Sequence, residues 1–327
     1  MPAVHAGRLD AATAAQMRMQ LARDGFVLVR GAVPADAVLA ARECVADDLG
    51  QRGFVEPGAG AGGGFCDLPI PPTMQQPAAD DAELARVCAV RTASSPGLLG
   101  RQAWIRSQPA LVSLLEHGRL RLLATLLLAP KDGSGPDRSS FDGISLVDPM
   151  GGDASGDEMS CESGDESGDE SVAQTLPFKW LRAVGTGLFT GLHCDRVYVG
   201  HIHPRMLTIW MPLGRVTTAQ GSMVACAGSH MDETWRHLRE TYGRTKVGND
   251  GTQSGWISRD PAAAERMLLR PDGDAPGRSL PWMSADFEPG DVCVLTMDVM
   301  HMSATNTTSA WRISCDTRWL LLDSGDD

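Results

Sequence analysis

The stretch Gly191-Leu192-His193-Cys194-Asp195-Arg196-Val197-Tyr198-Val199 reads as a β-strand, and its reading decides the fold. Side chains alternate across a strand, so His193 and Asp195 emerge on one face while Leu192 and Cys194 turn to the other. An imidazole and a carboxylate are thereby set side by side.

His301 offers a third donor. It lies in Asp298-Val299-Met300-His301-Met302-Ser303, shortly after the strand-like run Val292 to Met297. Two histidines and one carboxylate that leave coordination positions open are the donor set of non-haem Fe(II) sites. Further on, Trp311 to Trp319 alternates again, with Arg312, Ser314, Asp316 and Arg318 on one face. A guanidinium pointing inward beside a metal calls for an anion, because its fork matches a carboxylate and leaving it unpaired is costly.

Taken in order, His193-x-Asp195, Trp210, Gly228-Ser229-His230, Pro289-Gly290-Asp291, His301, Asn306 and Arg312-x-Ser314 resemble the phytanoyl-CoA dioxygenase family of Fe(II)/2-oxoglutarate oxygenases. The likeness covers roughly residues 17 to 50 and 177 to 320. It implies that His193, Asp195 and His301 hold Fe(II), and that Arg312 and Ser314 bind the distal carboxylate of 2-oxoglutarate. Trp210 would line the cosubstrate pocket, with Thr208 and Lys179 weaker candidates. The implied reaction is hydroxylation of an unactivated C–H bond of a small molecule, lipid-derived or a secondary metabolite, by O2, with succinate and CO2 as co-products. Halogenating relatives have a small residue where this chain has Asp195, which favours hydroxylation. His201 and His203 read as loop residues on the substrate side, His230 as part of a Gly-Ser-His corner, and Asn306 as shaping a turn. Two other readings stand beside this one: a non-catalytic cupin-like binding protein, and an oxygenase acting on a protein substrate.

The strand pattern agrees with a mainly β fold with flanking helices. Short alternating segments at Phe178 to Val184, Leu192 to Val199, Met206 to Leu213, Gly221 to Ala227, Asp291 to Met297 and Trp311 to Leu322 suit a double-stranded β-helix, the jelly-roll or cupin-like barrel. Residues 177–323 would form this catalytic core. Residues 1–130 would flank it: Asp10 caps a helix running to about Arg23, Asp24-Gly25 stops it, Phe26 to Arg30 is a strand, and Pro34 opens a helix over Ala35 to Leu49. From Gly97 to Leu128 the leucines fall at helical spacings, with a break at Gly118. Residues 56 to 77 read as a Gly- and Pro-rich loop. Residues 231 to 288 read as an irregular excursion with short helices near Asp232 to Thr241 and Pro261 to Leu269.

Residues 131–176 are low in apolar content and repeat Ser-Gly-Asp-Glu, which reads as a disordered acidic insertion. Its serines sit in surroundings that suit acidophilic kinases. The formal charge is −12, but residues 148 to 170 hold nine acids and no Lys or Arg, so the remainder carries only −3. That leaves no electrostatic footprint for nucleic acid. The eight cysteines show no Cys-x-x-Cys spacing, which points to a reducing, cytoplasmic setting. No run is apolar and long enough for a membrane span. The chain ends without a peroxisomal address.

Overall fold

The computed structural model describes residues 1–6, 9–55, 68–70, 96–129, 172–199, 202–203, 205–233, 236, 255–257 and 280–321. The 56–77 loop falls outside the described residues but for 68–70, as do the Ser-Gly-Asp-Glu repeats, His201 and the excursion's expected helices, save for a few positions in the first of them.

The N-terminal part is a short strand β1 (Ala3–His5), helix α1 (Ala11–Asp24), strand β2 (Phe26–Arg30) and helix α2 (Ala35–Gln51). Asp10 accepts from the Thr13 N–H at 2.9 Å, as its capping role demands. Gly25 closes α1 in the left-handed region at φ 84°, where only glycine is unstrained. A Cβ there would lie 2.7 Å from His230 Nδ1 and 2.9 Å from Val299 Cγ2. Gly25→Ala is therefore expected to cost more than about 1 kcal/mol in chemical denaturation. Three helices follow: α3 (Gln102–Arg106), α4 (Pro109–Leu115) and α5 (Gly118–Leu128), the break falling just before Gly118.

The remaining strands are β3 (Gln174–Thr175), β4 (Trp180–Val184), β5 (Met206–Pro212), β6 (Met223–Cys226), β7 (Trp282–Ser284), β8 (Val292–Thr296), β9 (His301–Ser303) and β10 (Arg312–Leu320). They form two sheets. The larger runs β1-β2-β8-β5-β10-β3, with β4 also on β10, and the smaller runs β7-β6-β9. The N-terminal β2 thus extends the major sheet through an antiparallel ladder with β8.

Alternation along the major-sheet strands sorts two cores. Val27, Val29, Ile209, Val292, Val294 and Ile313 face the helices, where Met17, Leu21, Val45, Leu49, Leu111 and Leu123 cover them. Each such burial contributes about 1.5–3 kcal/mol. Phe26, Leu28, Trp210, Cys293 and Leu295 face the small sheet and meet Met223, Ala225 and Phe287. The result is the expected jelly-roll arrangement, open rather than closed, since no ladder joins the two sheets among the described residues.

One expected strand is shorter than the sequence suggests. At Leu192 to Val199 only an isolated bridge forms, His193 to His301, and Arg196–Val199 is one helical turn, α6. The N–H groups of Tyr198 and Val199 turn back to the Asp195 carbonyl at 3.0 and 3.3 Å, which overrides the β preference of Val-Tyr-Val. Four strands escape the sequence pattern: β1, parallel to β2; β7, which lies inside the 231 to 288 excursion; β9, which carries His301; and β3, which pairs with the end of β10 and so corrects the reading of residues 131–176 as disordered throughout.

Candidate metal and diacid site

His193 and His301 are tied to each other by a reciprocal backbone pair, N–H to O at 3.0 and 2.9 Å. This bridge, at the edge of β9, brings the two rings to 4.2 Å between centroids. Each Nδ1 faces a main-chain carbonyl, Gly191 O at 2.7 Å for His193 and Val299 O at 3.0 Å for His301. A carbonyl can only accept, so each Nδ1 carries the proton and each Nε2 presents a lone pair. The two Nε2 atoms lie 3.7 and 3.9 Å from the two oxygens of Asp195. Among the described residues this is the cluster able to hold a metal ion, its three donor atoms all within 4.8 Å of one another and all three residues buried.

Asp195 is held from the major sheet. Register sets Arg318 of β10 opposite Thr208 of β5. Arg318 Nη2 donates to Asp195 Oδ1 at 2.7 Å and the Thr208 hydroxyl donates to Oδ2 at 2.5 Å. Burial alone would raise the Asp195 carboxyl, but Arg318, the two imidazoles and the Thr208 hydroxyl outweigh it and hold it well below the usual carboxylate range. Burial first, and His301 next, push His193 down to about 3. Burial also pushes the neighbouring Cys194 thiol up to about 12, which removes it as a competing thiolate donor.

Those shifts have a sign that can be measured. Below its ordinary value of 6.5, His193 takes up a proton in the unfolded chain but not in the native one until about 3. The unfolded state then binds more protons, so native stability falls with pH through that window by up to about 1.4 kcal/mol per unit. Metal-free protein melted in chelator from neutral pH to about pH 4 should show this loss, with a shallower slope for His193→Gln. Equal slopes would contradict it.

The other end of the site is made for an anion. Arg312 and Ser314, two residues apart on one face of β10, are buried at 1% and 0%. Arg312 Nε and Ser314 Oγ find no hydrogen-bond partner, and Arg312 Nη2 has only a long contact of 3.4 Å with the Thr190 hydroxyl. Burial, then the nearby Arg182, push Arg312 down to about 9 despite Asp316. Two orphaned buried donors side by side match the two oxygens of a carboxylate.

The other expected residues take the following places. Trp210 packs edge-on against Phe287, 4.9 Å between centroids, within the core between the sheets. Thr208 serves Asp195, as described. Lys179 is buried beside Glu116 at 3.0 Å and the Thr175 hydroxyl at 3.2 Å. His203 is half-buried and bonds the Arg205 backbone, and His230 bonds the Ala22 carbonyl at 3.2 Å, where it braces the α1 terminus. Asn306 ties Val184 and Ala310 carbonyls together, the turn-shaping role expected of it. Sequence reasoning placed Arg318 on the right face without giving it a partner, and it passed over Arg182, whose Nη1 bonds Asp316 at 2.5 Å. Inward alternation on β4 and β10 was the available signal for both.

Residues 173–314 match the family model for phytanoyl-CoA dioxygenase (PhyH). Over that stretch the chain is similar to the phytanoyl-CoA dioxygenase family. That likeness supports Fe(II) and 2-oxoglutarate as the cofactors, and two imidazoles with one carboxylate fit the metal. A search of curated protein sequences finds no match. Among solved structures, the carbocyclase SnoK from nogalamycin biosynthesis aligns over 99% of this chain and 88% of its own, at 15% identity and a TM-score of 0.49. EctD from S. alaskensis with 2-oxoglutarate and 5-hydroxyectoine aligns over 94% and 76%, at 15% identity and a TM-score of 0.47. No helix among the described residues is long and apolar enough to cross a membrane.

Proposed function

We propose that this protein is a phytanoyl-CoA dioxygenase-like oxygenase that hydroxylates an unactivated C–H bond of a small molecule, using His193, Asp195 and His301 to hold Fe(II) and Arg312 with Ser314 to hold 2-oxoglutarate. The observation that carries the reading is the pairing of a complete, buried donor triad with an orphaned arginine on the facing sheet. Fe(II) and 2-oxoglutarate, when bound, couple reduction of O2 and decarboxylation of the diacid to insertion of one oxygen into the substrate, leaving succinate and CO2.

The chain's own residues do the positioning. Gly191 and Val299 carbonyls fix the imidazole tautomers, so no proton need move before the metal binds. Thr208 and Arg318 occupy one lone pair on each Asp195 oxygen and stop the carboxylate from rotating. Arg312 and Ser314 anchor one end of the diacid, which points its other end toward the triad. The surrounding walls are largely apolar: Tyr198 packs edge-on with His193, 5.6 Å between ring centroids, and Leu192, Cys194, Cys226 and Met300 form a buried cluster beside the ligands.

A catalytically silent cupin-like protein would have no use for an unpaired buried guanidinium across from a metal triad. The test is succinate formation from 2-oxoglutarate across a panel of small acyl, amino-acid-derived and cyclic compounds, with product mass determined. Gain of one oxygen atom supports hydroxylation. Loss of two hydrogens, or an unchanged mass with inverted configuration, would replace it with ring closure or epimerisation.

A further inference from the structure

Besides the imidazoles and the neutral Tyr198 phenol and Cys194 thiol, five charged groups surround the site among the described residues: Asp195, Asp316, Arg182, Arg312 and Arg318. Arg318 pairs with Asp195 at 2.7 Å and Arg182 with Asp316 at 2.5 Å. Arg312 has no carboxylate partner. The carboxylate meant for the metal is thus already neutralised by a guanidinium, and the pocket carries one surplus positive charge. Arg318 is fixed in this role. It is 1% exposed, its Cζ lies 4.3 Å over the Trp180 ring, and the Asp195 it touches is fully buried.

We propose that Arg318 is a positioning residue and built-in counter-ion of Asp195 that makes firm binding of the divalent ion conditional on the dianionic cosubstrate. This rests on the metal-and-diacid reading above. Arg318 keeps the carboxylate in place when the site is empty, where an unpaired buried charge would be costly. The same pairing cancels the attraction that Asp195 would offer a doubly charged cation, and Arg312 adds repulsion. A dianion reverses this: metal and diacid together add no net charge, and Arg312 gains its partner. Each ligand must then tighten the other by the same factor.

The probe is Mn(II), with the free ion counted by its electron paramagnetic resonance signal in full-length protein, with and without 2-oxoglutarate. In the wild type, 2-oxoglutarate should tighten Mn(II) binding by at least about tenfold. Arg318→Met, similar in volume and uncharged, should bind Mn(II) alone at least about tenfold more tightly than wild type and lose most of the diacid-dependent gain. Arg318→Lys keeps the charge and should follow the wild type. The metal-free Arg318→Met protein should also melt lower than wild type and gain more from Mn(II), because it leaves Asp195 unpaired. If Arg318→Met binds Mn(II) alone no better than wild type, the counter-ion role is overturned and the arginine only orients Asp195. If that variant does not fold, the wild-type coupling decides: no enhancement by 2-oxoglutarate overturns the proposal. Failure of the underlying reading looks different, as Mn(II) would then bind His193→Ala as it binds the wild type.

Discussion

Alanine in place of His193 or His301 is expected to abolish turnover and to weaken Mn(II) binding by more than about 100-fold, beyond what loss of an outer-shell partner costs. Each histidine supplies one of three donors, and among the described residues no further His, Cys, Asp or Glu joins the cluster. Fold should survive, because the His193–His301 bridge is made by main-chain atoms that alanine keeps. Circular dichroism and a Mn(II) titration on the same samples check both halves. A variant that keeps wild-type affinity would remove that residue from the donor set.

Arg312→Leu is expected to raise the KM for 2-oxoglutarate far more than it lowers kcat. Truncating one partner of a buried charge pair costs about 2–5 kcal/mol, which is about 30-fold to several-thousand-fold in affinity. Arg312→Lys should fall between, since a point charge cannot make the two-pronged contact. The same substitution has a second signature. Without ligand, Arg312 is a buried guanidinium lacking a carboxylate, so Arg312→Leu should leave the ligand-free protein as stable as wild type or more so. A purely structural arginine would give the opposite: lower stability and an unchanged KM.

Much of this was legible in the residues because local rules and tertiary structure agree there. Asp10 and Gly25 mark the ends of α1 through backbone chemistry that needs no partner elsewhere. Polar and apolar residues alternate along Arg312 to Leu320, which put Arg312, Ser314 and Arg318 on one face, and the His-x-Asp spacing put His193 and Asp195 together. What stayed hidden depends on register. Nothing local tells Arg318 that its partner is Asp195, because the pairing of Arg318 with Thr208 across β10 and β5 creates that contact. The turn after Asp195 was equally hidden, since Val-Tyr-Val favours a strand and only the surrounding packing bends it into α6. Trp210 shows the converse: an inward aromatic has the same alternation whether it lines a pocket or fills the core, and only the structure shows its ring edge-on against Phe287.

The account rests on three side chains and one arginine gathering a divalent metal and a diacid. Anaerobic addition of Fe(II) and 2-oxoglutarate, followed by visible absorption, tests this most directly. The wild type should develop a charge-transfer band, His193→Ala should develop none, and Arg312→Leu should need far more 2-oxoglutarate to reach it. Bands of equal strength at equal concentrations in all three proteins would contradict the site.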